Sequence, residues 1–312
     1  MTDALKIVGL GEALFDVFDD REVLGGAPLN VAVQAHALLQ AARQGEGIVV
    51  SRIGADARGA RLRDDVAARG MAIDWLQVDS QRPTGTVLVT LQQGEPHYEI
   101  VADVAWDFLQ ATDELHRLAE TCSAVCFGTL AQRSDAARSS IHFFLERAAT
   151  AIRLFDVNLR QEYFDADILA ASCQLATIVK LNEAELPQVV AILATAGKLP
   201  ASSTAYASLD DQAAALREAF ALRALVLTRG KLGTTLYESA GKATGEPVSY
   251  PRDANADSVG AGDACSAGIL FGLLHDWPSE RTVQLANHLG AFVASQPGAT
   301  PTLPAEIMAL VR

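Results

Sequence analysis

Short apolar runs alternate with segments of helical periodicity along most of the chain. The apolar runs are LKIVGLG, GIVVSRIG, SAVCFG, AIRLFDVN, ATIVKLN and RALVLTRG, and each has the length of a buried strand. Between them, segments such as GGAPLNVAVQAHALLQAA, ARLRDDVAARG and DAARSSIHFFLERAA repeat apolar residues at the spacing of a helix face. This alternation predicts a parallel sheet that is covered by helices on both faces.

Two segments depart from this pattern. TGTVLVTLQQGEPHYEIV alternates strand residues around the turn signal QQGEP, which predicts an antiparallel hairpin. Residues 193–208, LATAGKLPASSTAYAS, are small and polar, and we expect them to form a surface excursion between helices.

Length and charge narrow the class of protein. The 312 residues allow one large domain, with or without a small appendage. We expect no membrane span, because no apolar stretch reaches about 18 residues. The N-terminus lacks the pattern of a signal peptide, so we expect a cytoplasmic protein. The net charge of -13 argues against broad contact with nucleic acid. The four cysteines are most simply buried free thiols.

Candidate chemistry lies in DSVGAGD, residues 257–263, directly before an apolar helical segment. A helix N-terminus offers unpaired N–H groups and partial positive charge, so Gly260, Ala261 and Gly262 suit an anion. Asp263 would repel that anion, which suggests that it removes a proton from a hydroxyl that attacks a phosphoryl group. The alternative is a capped helix with a stabilising acid in its first turn.

Other nucleotide motifs are incomplete. GLGEAL lacks the third glycine of a dinucleotide fingerprint, and GKL lacks the spacing and the Ser/Thr of a P-loop. A dehydrogenase is therefore disfavoured, and a protein that uses ATP would do so without these motifs.

The motifs together resemble the ribokinase family, the pfkB-type carbohydrate kinases. DSVGAGD resembles the second signature of that family, and GGAPLNVA followed by RIGADARG resembles the first. LGEALFD, KLNEAE, LTRGKLG and ANHLGAFVASQPGATP also match, in the order of the family. The resemblance implies an α/β, ribokinase-like fold over residues 1–312, with a central, mostly parallel sheet flanked by helices. It also implies a small β lid built from residues of about 13–24 and 84–101.

The resemblance assigns roles to matching positions. Asp263 corresponds to the catalytic base, and Gly260, Ala261 and Gly262 correspond to the anion hole. The expected substrate contacts are Asp16, Gly25, Gly26, Asn30 and, in DVNLR, Arg160. The expected nucleotide and magnesium contacts are Asn182, Glu185, Thr228, Gly230, Gly233 and Asn287. Related kinases bind potassium at the positions of Asp257, Val259, Val293, Gln296, Gly298 and Thr302.

Several of these residues also have simpler interpretations. Asp16 fits a solvated loop acid, and Asn30 fits a helix-start amide. Arg160 fits the partner of a surface acid. Asn182 and Glu185 fit a helix cap, a role that is compatible with organising magnesium.

Three motifs narrow the range of expected substrates. GEALFD, GGAPLNVA and DVNLR look most like fructokinases and keto-deoxy-gluconate kinases, and Leu14 replaces a polar amide of ribose-specific members. We therefore expect an ATP- and Mg²⁺-dependent kinase of a ketose such as fructose. The alternatives are a 2-keto-3-deoxygluconate or nucleoside-type kinase, and a catalytically silent family member that binds sugar or nucleotide. The strand edges of a β lid also suggest a homodimer through the lid.

Overall fold

The structure is a computed structural model that describes residues 4–92, 95–205 and 208–312. The tip of the predicted QQGEP turn, residues 93 and 94, and residues 206 and 207 of the predicted excursion lie outside this description.

The order of elements follows the predicted alternation. The strands in the described ranges are Leu5–Leu10 (β1), Leu14–Val17 (β2), Glu22–Gly25 (β3), Gly45–Gly54 (β4), Leu76–Asp79 (β5), Gly85–Gln92 (β6), Glu95–Ile100 (β7), Ala124–Gly128 (β8), Ile152–Asp156 (β9), Ile178–Asn182 (β10), Ala224–Thr228 (β11), Thr234–Glu238 (β12) and Gly241–Thr244 (β13). The α-helices in the same ranges are Ala27–Ala42 (α1), Ala57–Ala68 (α2), Asp113–Thr121 (α3), Asp135–Arg147 (α4), Ala166–Leu175 (α5), Glu185–Thr195 (α6), Leu209–Ala219 (α7), Ala261–Leu274 (α8), Ser279–Val293 (α9) and Ala305–Ala309 (α10).

The larger sheet has the strand order β13-β12-β11-β10-β9-β8-β1-β4-β5. Its neighbours pair in parallel from β11 through to β5, whereas β12 and β13 are antiparallel additions at one edge. The predicted fold class, a mostly parallel central sheet flanked by helices, is confirmed.

Successive residues of the central strands face opposite sides of this sheet. In β1, Ile7 packs in one core cluster with residues of α1, α8 and α9, while Val8 packs in another with residues of α4, α5 and α6. Leu154 and Phe155 of β9 divide between the two clusters in the same way. The short apolar runs of the sequence are therefore strands buried on both faces.

The predicted hairpin belongs to a second, four-stranded sheet with the order β3-β2-β6-β7. Strands β6 and β7 pair antiparallel, and β2 pairs parallel to β6 with Asp16 opposite Val87. Leu14, Val87 and Ile100 of this sheet are buried. We call these four strands the small sheet.

The predicted surface excursion is only partly correct. Helix α6 continues to Thr195, and a short 3-10 helix covers Ala201–Ala205. Leu193 and Leu199 are buried in the main core, because these two leucines supply apolar area within an otherwise small and polar stretch. Within the described residues, no helix is long and apolar enough to cross a membrane.

A buried ion pair fastens the chain that leaves the small sheet. Arg133 donates from Nε to Oδ1 and from Nη2 to Oδ2 of Asp107, both at 2.8 Å, and also to the carbonyl of Val101 at 2.6 Å. Its guanidinium lies 4.0 Å from the ring centroid of Trp106. The side chains of Arg133 and Asp107 are only 6% and 5% exposed, so neither charge is compensated by water.

We predict that Asp107→Asn lowers the free energy of unfolding by about 3–5 kcal/mol, because it leaves the Arg133 charge buried without its counterion. Denaturant unfolding measures the change. Glu120→Gln, which breaks the exposed ion pair with Arg147, is the control and should cost less than about 1 kcal/mol. Equal, small effects of both substitutions would contradict the importance of burial.

Candidate active site

A cavity of about 780 Å³ lies where several central strands end and two helices begin. Its wall includes the residues after β1, β8 and β9, the N-termini of α1 and α8, and Val87, Tyr98 and Ile100 of the small sheet. In open α/β sheets, ligands bind at the carboxyl ends of the strands. The cavity therefore occupies the position that is expected of a ligand site.

The segment DSVGAGD forms the turn that begins α8. Gly260 has φ of 76°, and a Cβ atom there would lie 2.5 Å from Cβ of Ala299, so only glycine fits this backbone. Gly260 and Gly262 both line the cavity. The N–H of Ala261 donates to the carbonyl of Ser258 at 3.3 Å, so it is already engaged within the turn. The predicted anion hole is thus a helix start that opens on the cavity.

Asp263 lies in the first turn of α8 and also lines the cavity, although it is only 8% exposed. Its Oδ2 accepts a hydrogen bond of 2.8 Å from Nδ2 of Asn30. Burial, followed by the charge of Asp156, raises the pKa of Asp263 to about 6. A carboxylate with a pKa near neutrality is suited to general-base catalysis, because it is ionised at pH 7 and still holds a proton well.

A second buried ion pair lies beside this turn. Nζ of Lys180 donates to Oδ2 of Asp156 at 2.7 Å, and the hydroxyl of Ser266 donates to the same oxygen at 2.8 Å. A Cβ atom on Gly262 would lie 3.5 Å from Nζ of Lys180, so the ammonium lies close beneath the predicted anion hole. Burial, the largest single influence, would lower the pKa of Lys180, but the charge and hydrogen bond of Asp156 together with the charges of Cys265 and Asp263 raise it. Lys180 is therefore a permanent positive charge.

The predicted substrate contacts all lie at the cavity wall or directly beside it. Asp16, Gly26, Asn30 and Arg160 line it, and a Cβ atom on Gly25 would lie 3.0 Å from Oδ2 of Asp16. Burial raises the pKa of Asp16 to about 6, against the opposing charge of Arg160. Asp16 thus lies in β2 and lines the cavity, so it is not the solvated loop acid of the simpler interpretation.

Arg160 is exposed at the cavity wall, where its Nη1 donates to the carbonyl of Leu159 at 3.1 Å. It belongs to a loop in which Asn158 and Gln161 have φ of 42° and 48°. Gln161 donates from Nε2 to the carbonyl of Tyr98 at 2.8 Å, so this loop is bonded to the small sheet. The charge of Arg160 acts on Glu12, Asp16 and Asp263.

The predicted nucleotide and magnesium residues do not line this cavity; they lie at or after the ends of β10 and β11 or, for Asn287, within α9. Asn182 and Thr228 are register partners at the ends of β10 and β11. The structure supports the capping interpretation of Asn182 and Glu185. Oδ1 of Asn182 accepts from the N–H of Glu185, and Oε2 of Glu185 accepts from the N–H of Asn182, both at 2.9 Å. Oε1 of Glu185 also accepts from the N–H of Leu159 at 2.9 Å.

Two glycines and an amide form the rest of the predicted nucleotide site. Gly230 and Gly233 have φ of 51° and 83°. A Cβ atom on Gly233 would lie 2.8 Å from Nδ2 of Asn287, so these two residues are close together. Nδ2 of Asn287 donates to the carbonyl of Glu246 at 2.9 Å, which fixes the amide.

The predicted cation residues are brought together only in part. Asp257 accepts from the N–H of Val259 at 3.0 Å and from the N–H of Gly298 at 3.3 Å, and its own N–H donates to the carbonyl of Gln296 at 3.4 Å. Asp257, Val259 and Gly298 also line a second cavity of about 410 Å³. Val293 is buried inside α9, and Thr302 is exposed; neither lines this second cavity.

Three charged residues of the cavity region were missed by the sequence analysis, namely Glu12, Asp156 and Lys180. Each carried a detectable signal. Lys180 is the only charged residue in the apolar run ATIVKLN, Asp156 is the last residue of β9, and Glu12 lies two residues after the end of β1. A charge in or just after a buried strand has to be compensated, which makes it a candidate for function.

Comparison with known proteins agrees with this geometry. The sequence profile of the pfkB family carbohydrate kinases matches residues 4–306. A fructokinase of Escherichia coli is 30% identical over 330 residues, which cover 96% of each chain. A fructokinase of Salmonella typhimurium is 27% identical, again over 96% of each chain.

Solved structures share the fold. A fructokinase of Xylella fastidiosa with bound ATP has a TM-score of 0.79 at 22% identity, over 98% of both chains. An aminoimidazole riboside kinase of Salmonella enterica, complexed with aminoimidazole riboside and an ATP analogue, has a TM-score of 0.75 at 21% identity, over 98% of this chain and 99% of that one. A Vibrio cholerae fructokinase with bound fructose, ADP and calcium has a TM-score of 0.75 at 23% identity, over 99% of both chains.

We predict that Lys180→Met raises the pKa of the Asp263 carboxyl. The charge of Lys180 lowers that pKa in the wild type, and methionine removes the charge while it keeps most of the volume of the side chain. Carboxyl ¹³C NMR titration measures the shift. Lys198→Met, which removes the exposed partner of Asp167, should leave the titration in place. The same titration curve in both variants would show that Lys180 has no electrostatic effect on the site.

Proposed function

The chain belongs to the pfkB family of carbohydrate kinases, and on this premise we propose that it transfers the γ-phosphoryl group of ATP to a hydroxyl of a ketose such as fructose. The observation that supports this most directly is Asp263, a buried carboxylate with a pKa of about 6 at the head of α8, held by Asn30 beside Gly260 and Gly262.

In this proposal Asp263 accepts the proton of the attacking hydroxyl. Asn30 keeps the carboxylate in place through its 2.8 Å hydrogen bond. The N-terminus of α8 stabilises negative charge that develops on the transferred group, and Lys180 adds positive charge from below. Asp16 accepts hydrogen bonds from other hydroxyls of the sugar, and Arg160 donates to the sugar or to a phosphate.

ATP supplies the phosphoryl group, and Mg²⁺ neutralises part of its charge. Asn182, Glu185, Thr228, Gly230, Gly233 and Asn287 are the residues that we assign to them. In the described residues, His, Cys, Asp and Glu form no cluster that could hold a metal ion. Glu185 already accepts from two backbone N–H groups, so it fits an outer role in which water lies between its carboxylate and magnesium. Potassium at the loop around Asp257 is also part of the proposal.

The substrate is tested by incubating the protein with ATP, Mg²⁺ and a panel of sugars while ADP release is followed. Fructose should give the highest kcat/KM. If 2-keto-3-deoxygluconate or a nucleoside is phosphorylated instead, that compound and not a ketose is the substrate. Calorimetric binding of sugar or nucleotide without ADP release from any compound would support a catalytically silent protein.

We predict that Asp263→Asn lowers kcat by about 10²–10⁴-fold, because asparagine keeps the volume of the side chain and loses its basicity. Sugar and ATP should still bind with affinities within about threefold of the wild type, as measured by calorimetry. Asp167→Asn changes a carboxylate whose side chain is 86% exposed and is the control. Near-normal turnover by Asp263→Asn would mean that this acid only stabilises the helix.

We also propose that the small sheet is a lid of a single kinase domain, and that it closes when sugar binds. Val87, Tyr98 and Ile100 of this sheet line the cavity, so closure would exclude water from the phosphoryl acceptor site. Saturating fructose should slow hydrogen exchange in β2 and β6, while β12 of the main sheet serves as the control. Unchanged exchange in both regions would contradict closure. The homodimer through the lid stays a prediction.

A further inference from the structure

Two buried acceptor atoms in the wall of the cavity have no hydrogen-bond partner among the described residues. They are Oε2 of Glu12 and Oδ1 of Asn30, and both residues line the cavity. Glu12 is 4% and Asn30 is 3% exposed. An acceptor that is buried without a donor costs free energy comparable to a lost hydrogen bond, so two such atoms in one wall call for an explanation.

Both side chains converge on the first turn of α1. The backbone N–H groups of Ala27 and of Glu12 itself lower the pKa of the Glu12 carboxyl, so the carboxyl lies beside the start of α1. Ala27 is the first residue of α1, and Asn30 lies three residues later, on the same face of the helix. Side chains in a helix lean toward its N-terminus, so the side chain of Asn30 leans toward the turn beside which the Glu12 carboxyl lies.

One proton accounts for both unpartnered atoms. Building on the proposed kinase function, we propose that Glu12 carries a proton in the active enzyme, that its Oε2–H donates to Oδ1 of Asn30, and that this bond holds Nδ2 of Asn30 on Asp263. Glu12 is then a positioning residue that acts on the general base through Asn30. Without that proton, two acceptors would face each other, and the Asn30 amide would gain by turning its hydrogens toward Glu12 and away from Asp263.

The surroundings of Glu12 favour the protonated form. Asp263 from α8 acts on it with like charge, while Arg160 from the loop after β9 opposes that effect. Asp16 from β2 and Asp156 from β9 share the cavity, and the Cys126 thiol from β8 also interacts with Glu12. Burial, the largest cause, raises the pKa of Glu12 to about 7.

A protonated Glu12 limits the pH range in which the enzyme is active. Activity should rise with pH as Asp263 loses its proton near pH 6 and should fall again as Glu12 loses its proton near pH 7. Because the two charges raise each other's pKa, the limbs belong to the coupled pair. The profile of kcat/KM for the sugar should therefore be a narrow bell.

Two variants test the assignment. In Glu12→Gln, the amide N–H₂ replaces the carboxyl O–H as donor to Asn30, so the variant should keep most of the activity and lose the descending limb above pH 7. In Glu12→Leu, the volume is similar but the donor is lost, so kcat should fall at least about tenfold at every pH, with a smaller change in KM. If Gln and Leu are equally damaging, Glu12 acts as an anion, and the proposal is wrong. If neither variant changes the profile, the residue has no positioning role.

A second measurement does not depend on activity. The ordinary pKa of the Glu12 carboxyl is 4.5, against about 7 in the fold. Between pH 4.5 and about pH 7, the folded protein would therefore hold a proton on Glu12 that the unfolded chain has already released. The stability that the protonated carboxyl contributes is measured as the unfolding free energy of the wild type minus that of Glu12→Gln. This difference should be at its full value below pH 4.5 and should decline as pH rises to about 7. A constant difference over this range would overturn the protonated state. If the wild type phosphorylated no sugar, the proposed function would fail while this measurement still decided the state of Glu12.

Discussion

The arrangement of this protein depends on compensating the negative charge that is buried at the carboxyl edge of its main sheet. Glu12, Asp16, Asp156 and Asp263 all line one cavity. Each is compensated differently: Asp156 pairs with Lys180, Asp263 accepts from Asn30, Asp16 interacts with Arg160, and Glu12 has its pKa raised to about 7 by burial. Isolated buried carboxylates would either take up protons or destabilise the fold. The differences in compensation leave Asp263 with a pKa of about 6, which is the property that general-base chemistry needs.

Close approach to neighbouring segments of the chain explains two glycines of the motifs. At Gly26 a Cβ atom would lie 2.5 Å from the carbonyl oxygen of Glu12, and at Gly260 it would lie 2.5 Å from Cβ of Ala299. Both glycines have positive φ, 110° and 76°, and they are the residues at which α1 and α8 begin. A side chain at either place would push a helix start away from the cavity. The two motifs therefore bring two helix N-termini, with Asn30 and Asp263 in their first turns, to a distance that a hydrogen bond spans.

The fold and the centre of the site could be predicted from sequence because they depend on local patterns. Strand and helix periodicity give the layers of the sheet, and the family resemblance correctly implied the fold class and the separate small sheet. The network beneath the site was not predicted. Asp156, Lys180 and Ser266 are far apart in the chain; the pairing of β9 with β10 places Lys180 beside Asp156, and the packing of α8 brings Ser266 to the same carboxylate. Leu193 and Leu199 were misjudged for a related reason, since isolated leucines in a polar stretch do not indicate where the core lies.

The net charge of the chain and the charged groups of the site act in opposite directions on an anionic substrate. The chain has a net charge of -13, which repels a polyanionic substrate at long range. Within the site, however, the first turn of α8, the ammonium of Lys180 and the guanidinium of Arg160 concentrate positive charge around the proposed phosphoryl position. Lys180 can remain charged in the interior because Asp156 holds it, so the positive charge is fixed and does not have to be attracted from solvent. Because Oδ2 of Asp156 accepts from both Lys180 and Ser266, its charge is compensated within the protein, while Asp263, the carboxylate in the first turn of α8, is left to accept a proton.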